Sequence, residues 1–239
     1  MKHILAAAVL AALSMGAPRA EGSERFPPHD HPAIIGVLSL PHAPAEERAA
    51  AVLVLPDTLG PDRRADPYVD ALNAAGLMVL EVDLEAVAET AQLSLTDAAA
   101  LVLQELERDP RVVEGRIALL GFGAGGRAAL QVSGDVARVA LYPGCAGLGP
   151  LPEAPRLIVH GDADAANRPE DCQRLGGART EIPGAGYAWD RPPHGAEGPV
   201  LLPRPDGPGR LPATPHPDFW DLSVPLVTTW LTRELRHAE

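Results

Sequence analysis

The sequence predicts an α/β domain with a mainly parallel central sheet flanked by helices on both faces. Six short apolar runs recur along the chain, most of them continuous rather than alternating, as strands covered on both faces are. Helical patterns lie between them, and strand alternating with helix implies parallel pairing through crossovers. The 239 residues, 46% of them hydrophobic, suffice for one domain with a full core.

The apolar runs are "AIIGVLSL" (33–40), "AAVLVL" (50–55), "LMVLEVD" (77–83), "RIALLG" (116–121), "ARVALYP" (137–143) and "PRLIVHG" (155–161). The helical stretches are "DPYVDALNAAG" ending on Gly76, "TDAAALVLQELERD" stopped by Pro110, "AGGRAALQVSG" and "RPEDCQRLGG". A last helix is expected in "PDFWDLSVPLVTTWLTRELRH", with Asp218 as its N-cap and Pro225 kinking it or delaying its start. Residues 191–217 carry nine of the 26 prolines and are expected to form a long irregular loop.

The first 20 residues have a basic start, an apolar run from Ile4 to Leu13 and small residues before Glu21. That pattern predicts a secretory signal peptide, residues 1–20, cleaved after Ala17 or Ala20, followed by a single domain over 21–239 that is periplasmic or secreted. Lys2 is the only lysine and Arg19 lies with it in the leader, so 18 basic residues remain against 32 acidic ones, a charge of about −14. Nucleic acid and anionic membranes are poor partners for such a surface, no membrane span is expected after cleavage, and lysine-based covalent chemistry is excluded. "EGSERFPPHDHP" is expected to be a loosely held lead-in. Its "HDH" (29–31) supplies too few ligands for a closed metal site, and neither metal nor cofactor is expected. Cys145 and Cys172 both lie in the exported part, where a disulfide is permitted; two free buried thiols are the alternative.

Chemistry concentrates in four segments: "LPDTLG" (55–60), "GFGAGG" (121–126), "HGDAD" (160–164) and "IPGAGYAWD" (182–190). In this order, after successive strands, they resemble the α/β-hydrolase superfamily and within it the dienelactone hydrolase family, from about residue 50 to 190 and over the final helix. The resemblance implies a strand-to-helix elbow reading Gly-x-Cys/Ser-x-Gly-Gly, in which glycines clear space around a strained nucleophile. Gly121, Gly125 and Gly126 match, but Gly123 stands where the nucleophile belongs. Asp164 matches the acid that orients a catalytic histidine, or it is a turn aspartate capping the next helix. Tyr187 stands at the histidine position, and a phenol of pKa about 10 is a poor base.

The resemblance further implies oxyanion donors at the backbone N–H groups of Ala124 and Thr58, able to hold a small carbonyl or carboxylate ligand, although Asp57 opposes an anion. It also favours a Cys145–Cys172 bridge. Ser133 is too far along the helix to replace the nucleophile, His160 reads as a packed core residue, and His194 could fold back toward Asp164. The leading expectation is a non-catalytic binder of a small ligand or partner. The alternatives are an ester or lactone hydrolase working by a nonstandard mechanism around Asp164, and a ligand-free scaffold. Restoring Gly123→Ser with Tyr187→His is expected to return some esterase activity if the scaffold is otherwise intact.

Overall fold

The computed structural model describes residues 22–42, 48–192 and 200–237. The expected leader and His194 lie outside them. An eight-stranded sheet runs through the molecule in the order β1-β2-β4-β3-β5-β6-β7-β8, where β1 is Ser23–Phe26, β2 Gly36–Ser39, β3 Ala49–Leu55, β4 Met78–Val82, β5 Val112–Phe122, β6 Ala137–Leu141, β7 Arg156–Gly161 and β8 Ala178–Ile182. All pairs from β4 to β8 are parallel; β1–β2 and β2–β4 are antiparallel.

The uninterrupted apolar strands result from burial on both faces. Along β3, Val52 and Val54 enter a core with helices α1 (Asp66–Ala74) and α6 (Pro217–His237), whereas Ala51, Leu53 and Leu55 enter a second core with α2 (Leu84–Ala91), α3 (Leu95–Glu107) and α4 (Gly123–Gln131). Truncating a fully buried leucine such as Leu53 to alanine costs about 2–5 kcal/mol. Local signals fix the helix ends. Ser94 caps α3 by accepting from Asp97 N at 3.1 Å while its hydroxyl donates back to the Asp97 carboxylate, and α1 stops at Gly76, whose φ of 87° suits the residue after a helix.

Three expectations are corrected. The lead-in is held in place: Ser23–Phe26 pairs with β2, and His31 Nδ1 accepts from Ile34 N at 2.9 Å. Within the proline-rich loop, β9 (Leu201–Pro203) and β10 (Arg210–Pro212) form a small hairpin, and Leu202, Leu211 and Ala213 join the core that contains Tyr187 and Trp189. Helix α6 begins at Pro217, so Asp218 lies in its first turn instead of capping it. Pro225 sits inside that helix on an exposed face, where water can serve the Asp221 carbonyl that the missing N–H leaves free. Among the described residues no single helix is long and apolar enough to cross a membrane.

Cys145 and Cys172 are bridged, with Cα atoms 5.0 Å apart. The bond ties the loop after β6 to α5 (Pro169–Gln173), beside Leu130, Ala140 and Ile158.

Candidate functional site

Strand β5 ends at Phe122 and α4 starts at once, with Gly123 at φ 49° on the turn. That left-handed conformation costs glycine little and would strain any other residue. The flanking glycines are required sterically: a Cβ at Gly121 would lie 2.5 Å from the Gly125 carbonyl, and one at Gly125 would overlap the carbonyls of Leu55 and Pro56. The elbow is therefore built as the sequence implies, but the space above Gly123 is filled. A Cβ there would overlap the Asp57 carboxylate and lie 2.5 Å from the Tyr187 hydroxyl.

Asp57, in the loop after β3, is the centre of the arrangement. Its Oδ1 accepts from Thr58 N at 2.8 Å and from Ala124 N at 3.0 Å. These are the two backbone donors that the resemblance assigns to an oxyanion, and they converge on a single oxygen that belongs to the protein. Its Oδ2 accepts from the Tyr187 hydroxyl at 2.8 Å and from Arg64 Nη1 at 3.1 Å. Asp57 and Arg64 are both buried, and Arg64 is also held by a two-pronged pair with Asp62. A buried carboxylate survives only with such partners, and all four of these contacts are donors.

The network extends inward. Arg64 Nη1 reaches the Tyr142 hydroxyl at 3.3 Å; Tyr142 donates to Asp190 Oδ1, and Tyr68 donates to Asp190 Oδ2 at 3.2 Å and shares a 2.7 Å hydrogen bond with Ser223 of α6. All three tyrosines of this aromatic-poor chain thus meet here. The Tyr142 ring packs edge to face against Tyr187 at 5.1 Å and Trp189 at 4.8 Å, and that of Tyr68 against Phe122 at 5.4 Å. Burial pushes the Asp190 carboxyl up to about 6. Burial and then the Asp57 charge push the Tyr187 phenol well above its ordinary value, so it acts as a proton donor to Asp57 and not as a base.

Asp164 lies at the expected place after β7, yet it serves its own turn. Oδ1 accepts from Ala166 N at 2.9 Å and Oδ2 from Asn167 Nδ2 at 2.9 Å. Asn167 in turn accepts from Gly144 N at 2.8 Å, linking this turn to the loop after β6. Neither Asp164 oxygen bonds Tyr187 among the described residues. Burial raises its pKa to about 6. His160 is wholly buried with its pKa lowered by burial, and Ser133 is exposed beyond the end of α4.

The proline-rich segment closes over this region. Thr214 N and His216 N donate to the carbonyls of Tyr187 and Trp189, both at 2.9 Å, and Pro205 and Asp206 sit against Gly144. The sequence reading missed Arg64, Tyr68, Tyr142 and Asp190, and it treated Asp57 only as an obstacle to anions. The available signal was that the chain, with only 4% aromatic residues, has just three tyrosines, one of them within 182–190.

No protein-family model and no curated protein matches the chain. Solved structures do match. A dienelactone hydrolase from Anabaena variabilis is 19% identical with a TM-score of 0.56, covering 84% of this chain and 91% of that one. A dienelactone hydrolase-like promiscuous phosphotriesterase from metagenomic libraries is 18% identical, TM-score 0.61, covering 84% and 92%. An alpha-beta serine hydrolase homologue from Coxiella burnetii is 14% identical, TM-score 0.52, covering 92% and 100%. With the strand order, the elbow and these likenesses together, the chain has the α/β-hydrolase fold.

Proposed function

We propose that this protein is an exported, non-catalytic relative of the dienelactone hydrolases, and that it works by binding a ligand or partner instead of by acyl transfer. One observation carries the reading: Asp57 Oδ1 takes both backbone donors that would hold an oxyanion, directly above a residue with no side chain. A substrate carbonyl would have to displace a buried carboxylate bonded to four donors, and it would then meet no nucleophile. Tyr187, protonated and committed to Asp57, supplies no general base. The disulfide is compatible with export.

The deciding experiment incubates the purified protein with p-nitrophenyl acetate, a lactone and a fluorophosphonate probe, followed by intact-mass analysis. No turnover above that of an Asp164→Asn control and no covalent adduct are expected. Turnover abolished by Asp164→Asn would install the nonstandard hydrolase in its place. An adduct on any side chain would overturn the proposal.

A further inference from the structure

Among the described residues the eight-stranded sheet ends at two edges, β1 and β8. An edge strand turns part of its backbone N–H and C=O groups away from its one neighbour, where they can template another strand. At β1 the charged side chains are already paired within the chain, Glu24 with Arg111 at 2.6 Å and Arg25 with Asp30 at 3.0 Å, and the strand runs straight into Pro27 and Pro28, which have no N–H to give. The other edge differs. Arg179 spends one nitrogen on the Pro169 carbonyl at 3.0 Å, Glu181 lies exposed, and among the described residues neither is paired with an opposite charge.

Register decides what the β8 edge can accept. The strand pairs in parallel with β7, Ile158 beside Arg179, Val159 beside Thr180 and His160 beside Glu181. Arg179 and Glu181 therefore project from one face, the one that carries Ile158 and the Cys145–Cys172 bridge, and Thr180 from the other. If two copies pair antiparallel with Thr180 opposite Thr180, Arg179 of each copy stands opposite Glu181 of the other, and two favourable cross-strand pairs form at once. Centring the pair on residue 179 sets arginine against arginine, centring it on residue 181 sets glutamate against glutamate, and parallel pairing in register does both. The edge is thus complementary to itself in one antiparallel register. Its ends are clear of bulk: a Cβ on Gly176 would meet nothing within 4 Å, and one on Gly184 would meet only the Phe219 ring, at 3.9 Å.

We propose that β8 is the docking edge for a second copy of this chain, two β8 strands pairing antiparallel about a two-fold axis at Thr180 so that two eight-stranded sheets become one continuous sheet. Main-chain ladder bonds supply the attraction, and the two Arg179–Glu181 pairs select the register and reject other strands. The edge has five residues, which falls short of the roughly 800 Å² per partner of a standard interface, so the dimer belongs to the weak class. Two strands, β6 and β7, separate β8 from β5 and its elbow, so self-association and an inert elbow stand or fall separately.

Sedimentation velocity of the whole protein at about 10 and about 200 µM, a range suited to a weak interface, tests the proposal. The unaltered protein should show a dimer whose fraction grows with concentration. Arg179→Glu and Glu181→Arg should each weaken association about tenfold or more, because both cross-strand pairs then set like charge against like. An equimolar mixture of these two variants should associate at least as well as the unaltered protein, since each strand of one then meets opposite charges on the other, and Arg179→Glu combined with Glu181→Arg in one chain should recover the dimer. Thermal melting checks that each variant is folded, and a variant that had merely lost its fold could not be rescued by mixing. Arg25→Glu, at the opposite edge, should leave association unchanged. A protein that stays monomeric at about 200 µM, single variants that dimerise undiminished, a mixture that remains monomeric, or a dimer lost with Arg25→Glu would overturn the proposal.

Discussion

The Tyr187 hydroxyl donates to Asp57 Oδ2 at 2.8 Å, while the other oxygen of the same carboxylate holds the N–H groups of Thr58 and Ala124. Tyr187 thus helps to hold the Asp57 carboxylate over Gly123. Tyr187→Phe removes one hydrogen bond to a buried charge and should lower unfolding stability by about 2 kcal/mol, read from urea denaturation. An unchanged midpoint would mean that the hydroxyl contributes nothing to holding Asp57.

Restoring the triad at two positions should fail. A serine side chain at Gly123 would overlap the Asp57 carboxylate, and its φ of 49° adds about 1 kcal/mol or more of backbone strain. The expectation that Gly123→Ser with Tyr187→His suffices is therefore revised: the pair should give no p-nitrophenyl acetate turnover and a less stable protein. Adding Asp57→Ala vacates the two backbone donors and makes room for the hydroxyl. Turnover should appear only in that triple variant, and activity in the double variant would show that Asp57 moves aside readily.

Stability should rise as the solution is acidified from neutrality. Burial raises Asp190 and Asp164 from 3.8 to about 6, and Glu81 from 4.5 to about 7. Between those ordinary values and the raised ones, the folded protein holds more protons than the unfolded chain, so its stability increases as pH falls through that window and declines as pH rises through it. Asp62 and Asp109 act oppositely: against the upward push of burial, their arginine partners hold both carboxyls below 3.8, and the stability they give is lost only under more acidic conditions. The urea midpoint should be higher at pH 5 than at pH 8, by an amount on the order of 2 kcal/mol in stability. Asp190→Asn should flatten the trend, and a midpoint that falls from pH 8 to pH 5 would contradict the assignment.

How much of the fold is legible in the sequence is set by the range over which each signal acts. Continuous apolar runs marked β3 to β7 because burial on both faces leaves no polar alternation to read. The edge strands escaped: β1 carries Glu24 and Arg25 beside prolines, and β8 alternates Arg179 and Glu181 with smaller residues. The hairpin escaped because three-residue strands between prolines fall below any periodicity. The elbow was legible because its glycines cluster within six residues, although the clearance that Gly125 provides is against Leu55 and Pro56 at the end of another strand. Asp57 was not, since its meaning comes from Ala124 and Tyr187, which lie 67 and 130 residues further along the chain.

The Cys145–Cys172 bridge should stabilise α5 more than the sheet. This helix has five residues, too few to persist on propensity, and its N-terminal side is fixed by Asp164 and Asn167 while the disulfide fixes its middle. Closing a loop across 27 residues stabilises the whole protein by about 3 kcal/mol in the chain-entropy account. Cys145→Ala with Cys172→Ala should lower global stability by about that amount. It should also speed amide exchange in 164–177 ahead of β5 and β6, whose strands lie in the interior of the sheet. Exchange that accelerates uniformly across the sheet would show instead that the bridge acts only on the unfolded chain.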